Sequence, residues 1–278
     1  MQPAPHRRIQ VRPIAGALGA EVAGADLAEL DDATFAEIHS AWLAHQVLFF
    51  RDQDLSPEQH KSFGRRFGTL QIHPFLHSRK SEGHPEIVVL ESNAERPVVA
   101  AGWHSDVTFA EQPPMASILR GVEVPEWGGD TMWASCTAAY DALSSTMKRM
   151  LDGLVAIHDT SKTFSRGAYP SESHPGANEA PSALHPVVRT HPETGRKSLF
   201  VNPAFTLRVK GLRPAESHAL LGFLYEHITT PEFTCRFHWE KNSLAMWDNR
   251  CTQHRVVADN LKVHRRMERV TVEGDRPT

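Results

Sequence analysis

The chain has 278 residues, which is enough for one domain with a large hydrophobic core. Its formal net charge is −3 and charges of both signs are interspersed, so the composition does not favour a nucleic acid or an anionic membrane surface as a partner. No apolar run approaches the roughly 20 residues that a membrane span requires, and the N-terminal residues lack the core of a signal peptide.

The chain contains three cysteines, Cys136, Cys235 and Cys251, without Cys-x-x-Cys spacing. An odd number of scattered cysteines predicts neither a disulfide framework nor a thiolate zinc site. We therefore expect a protein of the reducing cytoplasm.

The first half of the chain is expected to alternate short strands with a few helices. Asp31 precedes apolar residues at helical spacing, and Ser56-Pro57 followed by Gln59 is typical of a helix start. Gly128-Gly129 is expected to form a turn between two strands. The predicted helices are 31–45, 56 to the stop at Gly68, and 144–154; the predicted strands are 9–14, 46–50, 86–91, 115–119 and 130–134.

The second half predicts further strands and one amphipathic helix. Residues 160–183 show no apolar periodicity, and a loop of this length in a compact domain favours a functional lid. Residues 191–196 predict a hairpin turn. Expected here are strands 184–190, 198–201, 233–239, 243–247 and 266–272, with a helix at 214–229. Many short strands with peripheral helices predict one mainly β domain, residues 1–278, built as a β-sandwich or jelly roll rather than from βαβ units.

The stretch Trp103-His104-Ser105-Asp106-Val107-Thr108-Phe109 contains the principal candidate site. If it lies on a strand, His104 and Asp106 leave the same face and can share one metal ion. Chance supplies roughly two His-x-Asp/Glu matches in this composition, and the sequence has four, so the pattern alone is weak. Two of the others contain a central Pro and predict loops, at 84–86 and 191–193, and the third, 238–240, predicts a surface strand.

A third ligand is expected from His254, 150 residues after His104 in sequence (254 − 104). Two His and one carboxylate leave half of an octahedral iron open for a chelating co-substrate and O₂. A tetrahedral zinc with a bound water is the competing occupant, and it would make the protein a hydrolase.

Two arginines downstream of His254 favour an acidic ligand. Arg265 and Arg269 are four residues apart on the last predicted strand and therefore share a face. If that face is interior, an anion must compensate the two cations, and arginine pairs well with carboxylates. A solvent-exposed basic edge is the alternative.

These segments together resemble the taurine dioxygenase and 2,4-dichlorophenoxyacetate dioxygenase family, which are non-haem Fe(II), 2-oxoglutarate-dependent oxygenases with a double-stranded β-helix, or cupin-like jelly-roll, fold. The likeness runs from about Ile9 to Pro277. The matching motifs are the stretch 103–109, Gly128-Gly129-Asp130-Thr131, Trp247-Asp248-Asn249-Arg250 with His254, and the pair Arg265 and Arg269.

The resemblance implies that His104, Asp106 and His254 bind iron, and that Thr131 and Arg265 hold the distal carboxylate of 2-oxoglutarate. Arg269 would serve the co-substrate side or the anionic head of the prime substrate. It further implies hydroxylation coupled to conversion of 2-oxoglutarate and O₂ into succinate and CO₂. Similar enzymes are usually oligomers, so a homodimer or homotetramer is expected.

The substrate is expected to be a small organic anion with an apolar body. Residues matching substrate positions of the family are His73, Val107, Phe164, Phe205 and Arg269. Leu76 and Ala100 stand where taurine enzymes carry Tyr and Asn, so two polar partners for an amine are missing and taurine is disfavoured. An alkyl or aryl sulfonate, a sulfate ester or an aryloxyalkanoate fits better. A zinc hydrolase and a non-catalytic binding protein for small acids remain the alternatives.

Overall fold

The computed structural model describes residues 7–76, 79–95, 102–161, 181–260 and 262–278. Within these ranges the helices are α1 Asp32–His45, α2 Pro57–Arg65, α3 Cys136–Ala142, α4 Ser145–Leu151 and α5 Pro214–Ile228. The strands are β1 Gln10–Pro13, β2 Ala20–Ala23, β3 Val47–Phe50, β4 Lys80–Ser81, β5 His84–Ser92, β6 Ala116–Glu123, β7 Thr131–Ser135, β8 Val155–Asp159, β9 Ser182–Pro186, β10 Val188–Thr190, β11 Lys197–Leu199, β12 Thr206–Val209, β13 Thr234–Phe237, β14 Leu244–Asp248, β15 Thr252–Val256 and β16 Arg265–Val272.

Two facing sheets form the centre of the molecule. The major sheet has eight strands in the order β1-β2-β3-β14-β6-β16-β5-β4, and the minor sheet has the order β13-β7-β15. A further three-stranded sheet, β12-β8-β9, and the hairpin β10-β11 lie outside them. This mainly β arrangement, with helices at its periphery, confirms the predicted jelly roll.

Strand β3 shows why the major sheet is buried on both sides. Its four residues are all apolar and all fully buried, yet they alternate between two cores. Val47 and Phe49 pack between the two sheets, with Trp133 of β7 and Phe237 of β13. The intervening residues of β3 pack on the other face, together with residues of α1 and α2.

Local sequence determines the helices that cover this outer face. Asp31 caps α1 by accepting a hydrogen bond from the Thr34 N–H. Ser56 and Gln59 form a reciprocal capping box at the start of α2, and Pro57 occupies its first turn. Both helix starts were predicted from these residues.

Several predicted elements need correction. The stretch 103–109 is not a strand: His104 makes one isolated bridge and a turn begins at Asp106. Residues 84–86, predicted as a loop, begin β5. The predicted helix 144–154 ends at Leu151, and its last residues lead into a strand. Elements that the sequence did not predict include α3, β4, β8, β12 and β15.

Most of the predicted lid at 160–183 lies outside the described residues, so it stays a prediction. The two strands that flank it pair directly, with Asp159 opposite Ser182. Among the described helices, none combines the length and the apolar composition needed to cross a bilayer.

Candidate active site

His104 and His254 are held side by side by backbone hydrogen bonds. The His104 N–H donates to the His254 carbonyl over 3.0 Å, and the His254 N–H donates to the His104 carbonyl over 2.8 Å. Their ring centroids are 4.2 Å apart. His254 lies within β15, in the middle of the minor sheet's edge strand. A single antiparallel bridge therefore brings together two residues 150 positions apart in sequence.

Asp106 reaches the same point through a turn. His104 Nε2 and Asp106 Oδ1 are 3.9 Å apart, and one ligand atom from each of His104, Asp106 and His254 lies within 4.8 Å of the others. Directly after Asp106, Val107 adopts φ +53°, which is costly for a β-branched residue. Such strain persists only where the surroundings impose it.

The turn is held from outside the two main sheets. Asn202 Nδ2 donates to Thr108 Oγ1 over 3.0 Å, and His185 Nε2 lies 2.9 Å from the Thr108 carbonyl, to which it donates. His158 Nδ1 also contacts the Thr108 hydroxyl at 3.0 Å. These three buried polar side chains fix the residue that follows strained Val107, and sequence reasoning did not identify them.

The protonation states suit metal binding. Burial lowers the pKa of His104 and that of His254, so both imidazoles are neutral and offer lone pairs. His104 Nδ1 donates to the Gly102 carbonyl over 2.9 Å, which leaves Nε2 as the acceptor nitrogen. Burial favours the neutral form of Asp106 and is the largest single influence on it, but the Arg269 charge, the neighbouring imidazoles and the Ser117 hydrogen bond together outweigh burial and hold the pKa of that carboxyl well below its usual range.

Both oxygens of Asp106 are engaged. Ser117 Oγ donates to Oδ2 over 2.7 Å, and Arg269 Nη1 donates to Oδ1 over 2.9 Å. Ser117 lies on β6 and was not predicted as part of the site. A lone serine in an apolar strand carries no sequence pattern that would have marked it.

Arg265 and Arg269 face the interior. Met267, between them on β16, packs in the core between the two sheets, and alternate residues of a strand share a face. Each arginine is only 6% exposed, which rules out the exposed basic edge for this pair. Arg265 Nε and Nη2 and Arg269 Nε are buried without a partner among the described residues. Burial lowers the pKa of Arg265 to about 10.

Thr131 and Arg265 lie near each other, and both are adjacent to Trp239. Trp239 Nε1 donates to Thr131 Oγ1 over 2.9 Å, and the Arg265 guanidinium lies 6.0 Å from the Trp239 ring centroid. Gly129 has φ +69°, and a Cβ there would contact the Arg265 side chain at 3.5 Å. The Gly-Gly turn thus brings the start of β7 against the buried cation.

An aromatic cluster borders the metal-ligand group. Val107, Phe109 and Phe205 are buried together, and the Phe205 ring centroid lies 6.5 Å from that of His104. Phe75 packs on Phe109 with 5.5 Å between centroids. Phe75 and Phe109 were not predicted, although Phe109 stands two residues after Val107 in the same motif.

His73 is 4% exposed and begins the loop that carries Phe75. Its Nδ1 accepts the Phe75 N–H over 3.1 Å. Leu76, where taurine enzymes have Tyr, is also buried. Phe164 and Ala100, named in the sequence analysis, lie outside the described residues.

A second group of potential ligands is already saturated. His191, Asp248 and Cys251 lie close together, but Asp248 accepts from Arg250 Nε over 2.8 Å and Nη2 over 2.7 Å, and from His191 over 2.9 Å. Burial and the Asp248 charge raise the pKa of the Cys251 thiol well above its usual value. This network anchors the turn between β14 and β15 and thereby the start of the strand that carries His254.

The donor set fits a divalent iron and a diacid. Two neutral imidazoles and one ionised carboxylate match the facial triad of non-haem iron enzymes. His254 Nδ1 is buried without a partner in the described part of the chain, as are nitrogens of both interior arginines. Two such cations in an interior are costly unless an anion meets them.

Comparison with known proteins agrees with this site. The family model described as taurine catabolism dioxygenase TauD, TfdA family matches residues 10–271. The chain is 38% identical to an alkylsulfatase of Acinetobacter baylyi, over 98% of this chain and 87% of the relative. It is 36% identical to an alpha-ketoglutarate-dependent sulfate ester dioxygenase of Pseudomonas putida, over 99% of this chain and 93% of the relative. A solved taurine dioxygenase from Burkholderia xenovorans superposes with a TM-score of 0.85 at 40% identity, covering 98% of this chain and 91% of that one.

The jelly roll, the His–Asp–His group and these relatives define an Fe(II)- and 2-oxoglutarate-dependent dioxygenase, 2-oxoglutarate being the same compound as alpha-ketoglutarate. Neither the zinc hydrolase nor the binding protein finds support among the relatives. The chain belongs to the TauD, TfdA family.

Proposed function

We propose that His104, Asp106 and His254 bind Fe(II) in an enzyme that hydroxylates a small organic anion at the expense of 2-oxoglutarate and O₂. The observation that carries this proposal is the convergence of two neutral imidazoles and one carboxylate within 4.8 Å, beside two buried arginines. Bound iron would couple decarboxylation of 2-oxoglutarate, which yields succinate and CO₂, to oxidation of a substrate C–H bond.

Thr131 and Arg265 bind the distal carboxylate of 2-oxoglutarate. The buried guanidinium has two nitrogens without partners in the described residues, which suits a two-point contact with a carboxylate. Because Trp239 donates to Thr131 Oγ1, the Thr131 hydroxyl keeps its own proton for the co-substrate.

Arg269 and His73 bind the anionic head of the prime substrate, and Val107 and Phe205 line its body. The substrate role that the resemblance implies for Phe164 stays a prediction. The aromatic cluster beside His104 supports an apolar body, as does buried Leu76 in place of a polar residue. An alkyl sulfate, an alkyl or aryl sulfonate and an aryloxyalkanoate all fit this description. Alkyl sulfates rank first, because two relatives are named for sulfate ester chemistry.

The whole chain, residues 1–278, forms one catalytic domain that assembles into a dimer or tetramer in the cytoplasm. Support for a reducing compartment comes from the three cysteines, which are buried and free. Size-exclusion chromatography with light scattering tests the assembly, and a monomer at micromolar concentration would contradict it.

The iron proposal is tested by anaerobic titration with Fe(II) and 2-oxoglutarate. Wild type should develop the visible metal-to-ligand charge-transfer band, and His254→Ala should lose it. His264→Ala is the matched control, because that exposed histidine pairs with Glu91 and Glu123 instead. A wild type that binds zinc but gives no such band would refute the proposal.

The substrate proposal is tested by succinate release with a matched pair of sulfonates. Propane-1-sulfonate and taurine share the anionic head and differ by a methyl in place of the ammonium group. An apolar pocket should favour propane-1-sulfonate by at least tenfold in kcat/KM, with hexyl sulfate and phenoxyacetate as further candidates. Faster turnover of taurine than of every apolar anion would contradict this substrate class.

A further inference from the structure

A chain of three hydrogen bonds leads from the core to the carboxylate of Asp106. Trp247 Nε1 donates to Asn249 Oδ1 over 2.9 Å, Asn249 Nδ2 donates to Ser117 Oγ over 3.0 Å, and Ser117 Oγ donates to Asp106 Oδ2 over 2.7 Å. All four residues are at most 5% exposed. Water therefore cannot substitute easily for any member of the chain.

The direction of every bond is determined by chemistry. An indole N–H can only donate, so the amide oxygen of Asn249 must face Trp247 and its nitrogen must face Ser117. Ser117 Oγ accepts that bond and therefore directs its own proton to Asp106 Oδ2. The Asp106 N–H also points to Asn249 Oδ1, at 3.4 Å, which opposes a flip of the amide.

The sheet register places the members of this chain. Ser117 on β6 and Trp247 on β14 are directly opposite in an antiparallel pair, and Asn249 follows the last residue of β14. Asp248 and Arg250, on either side of Asn249, are locked in their buried ion pair. The carboxylate is thus oriented by two core strands rather than by the turn that carries it.

We propose that Trp247, Asn249 and Ser117 are positioning residues that hold Asp106 as a one-oxygen metal ligand. This inference rests on the proposed iron site. Ser117 holds Oδ2. Oδ1, which also accepts from Arg269, lies 3.9 Å from His104 Nε2 and is the oxygen that would meet the ion. A one-oxygen carboxylate leaves three coordination positions for a chelating co-substrate and O₂, whereas a two-oxygen carboxylate leaves two.

Titration of the metal-free protein with Co(II) tests the role of Ser117 without any turnover. Ser117→Ala should weaken Co(II) binding by 10- to 100-fold, because partners of metal ligands typically contribute that much. The visible Co(II) spectrum should also change, since the released Oδ2 becomes available as a second ligand atom.

Ser198→Ala is the matched control. Ser198 is an equally buried strand serine that donates to the Arg250 carbonyl and not to the carboxylate. It should bind Co(II) with the wild-type dissociation constant and spectrum.

Trp247→Phe is the second variant. It keeps an aromatic ring in the core but removes the indole N–H that donates to Asn249. It should change the Co(II) spectrum in the same direction as Ser117→Ala, with a two- to tenfold weaker affinity. If circular dichroism shows that Ser117→Ala is unfolded, the Co(II) spectrum of Trp247→Phe tests the positioning role instead. Wild-type affinity and spectrum in the folded variants would overturn the positioning role, whereas a wild type that fails to bind Co(II) would count against the iron site itself.

Discussion

Arg269 Nη1 and Asp106 Oδ1 are 2.9 Å apart, and the same oxygen lies 3.9 Å from His104 Nε2. A cation therefore already contacts the carboxylate oxygen that faces the proposed metal ligands. A divalent ion at this oxygen would repel the guanidinium, and an anionic substrate head would relieve that repulsion by pairing with Arg269. If Asp106 holds the proposed metal and Arg269 the substrate head, this pair would link metal binding to substrate binding.

Arg269→Gln should separate these two functions. Co(II) affinity should be equal to or tighter than that of wild type, because a competing positive charge is removed. The KM for an alkyl sulfate should rise by at least about 100-fold, as two charge-assisted hydrogen bonds contribute roughly 1.5–3 kcal/mol each. Co(II) titration and steady-state succinate release measure the two effects. Arg266→Gln, a half-exposed neighbour paired with Glu268, is the control and should leave both unchanged. An unchanged KM in Arg269→Gln would exclude the proposed contact.

Arg265→Met should abolish co-substrate binding without destabilising the ligand-free protein. Burial lowers the pKa of Arg265 to about 10, which means that the fold disfavours this cation in the absence of an anion. The Tm of the ligand-free variant should equal or exceed that of wild type. The increase in Tm caused by 2-oxoglutarate with Co(II) should disappear.

Two further variants serve as comparisons for Arg265→Met. Arg265→Lys keeps the charge but not the planar guanidinium, so it should retain part of the increase in Tm that 2-oxoglutarate causes. Arg208→Met, at an exposed position, should behave as wild type. A full 2-oxoglutarate shift in Arg265→Met would show that the diacid binds elsewhere.

Local patterns predicted the parts of the fold whose signals lie within a few residues. The caps at Asp31 and Ser56 and the buried β3 are examples, since each depends on adjacent side chains. The ligand set His104, Asp106 and His254 also came from the sequence, through its motif and the resemblance. The structure places ligand atoms of these three residues within 4.8 Å of one another, and their role in binding iron stays a prediction.

The route by which they meet was not predictable from local sequence. Val107 is a strong strand former, yet it adopts φ +53° because Thr108 is held by Asn202 and His185 from distant strands and loops. Ser117 was missed for a related reason, as its role depends on the register between β6 and β14. Non-local contacts of this kind override propensity, and only coordinates display them.

The three cysteine thiols should be inert in the native protein. Burial raises the pKa of Cys136 and that of Cys235 to about 12, and it raises the pKa of Cys251 well above its usual value. The thiolate is the reactive form, so native protein at pH 8 should take up no iodoacetamide, and protein unfolded in guanidinium should take up three equivalents. Mass spectrometry counts the adducts. Rapid native labelling of any one thiol would contradict the buried arrangement.

His60 should make the stability of the fold depend on pH below neutrality. This fully buried histidine of α2 donates from Nε2 to the Ile118 carbonyl over 3.2 Å, and burial lowers its pKa to about 4 from an unfolded value of 6.5. Between these pH values the unfolded chain binds the proton and the folded chain does not, so the free energy of unfolding falls as the pH falls. The loss begins near pH 6.5, ends near pH 4 and amounts to roughly 3 kcal/mol.

The variant His60→Gln isolates this contribution from that of other buried histidines and carboxylates. Glutamine can keep the hydrogen bond to Ile118 but does not titrate. Urea unfolding at pH 7 and pH 5 should show that the free energy of unfolding falls more in wild type than in the variant. The difference should match the pH dependence expected when one extra proton is taken up on unfolding. His218→Gln, at an exposed position on α5, is the control and should follow wild type. Equal pH dependence in wild type and His60→Gln would mean that the pKa of His60 is the same in the folded and the unfolded chain, against the burial and the carbonyl partner of this side chain.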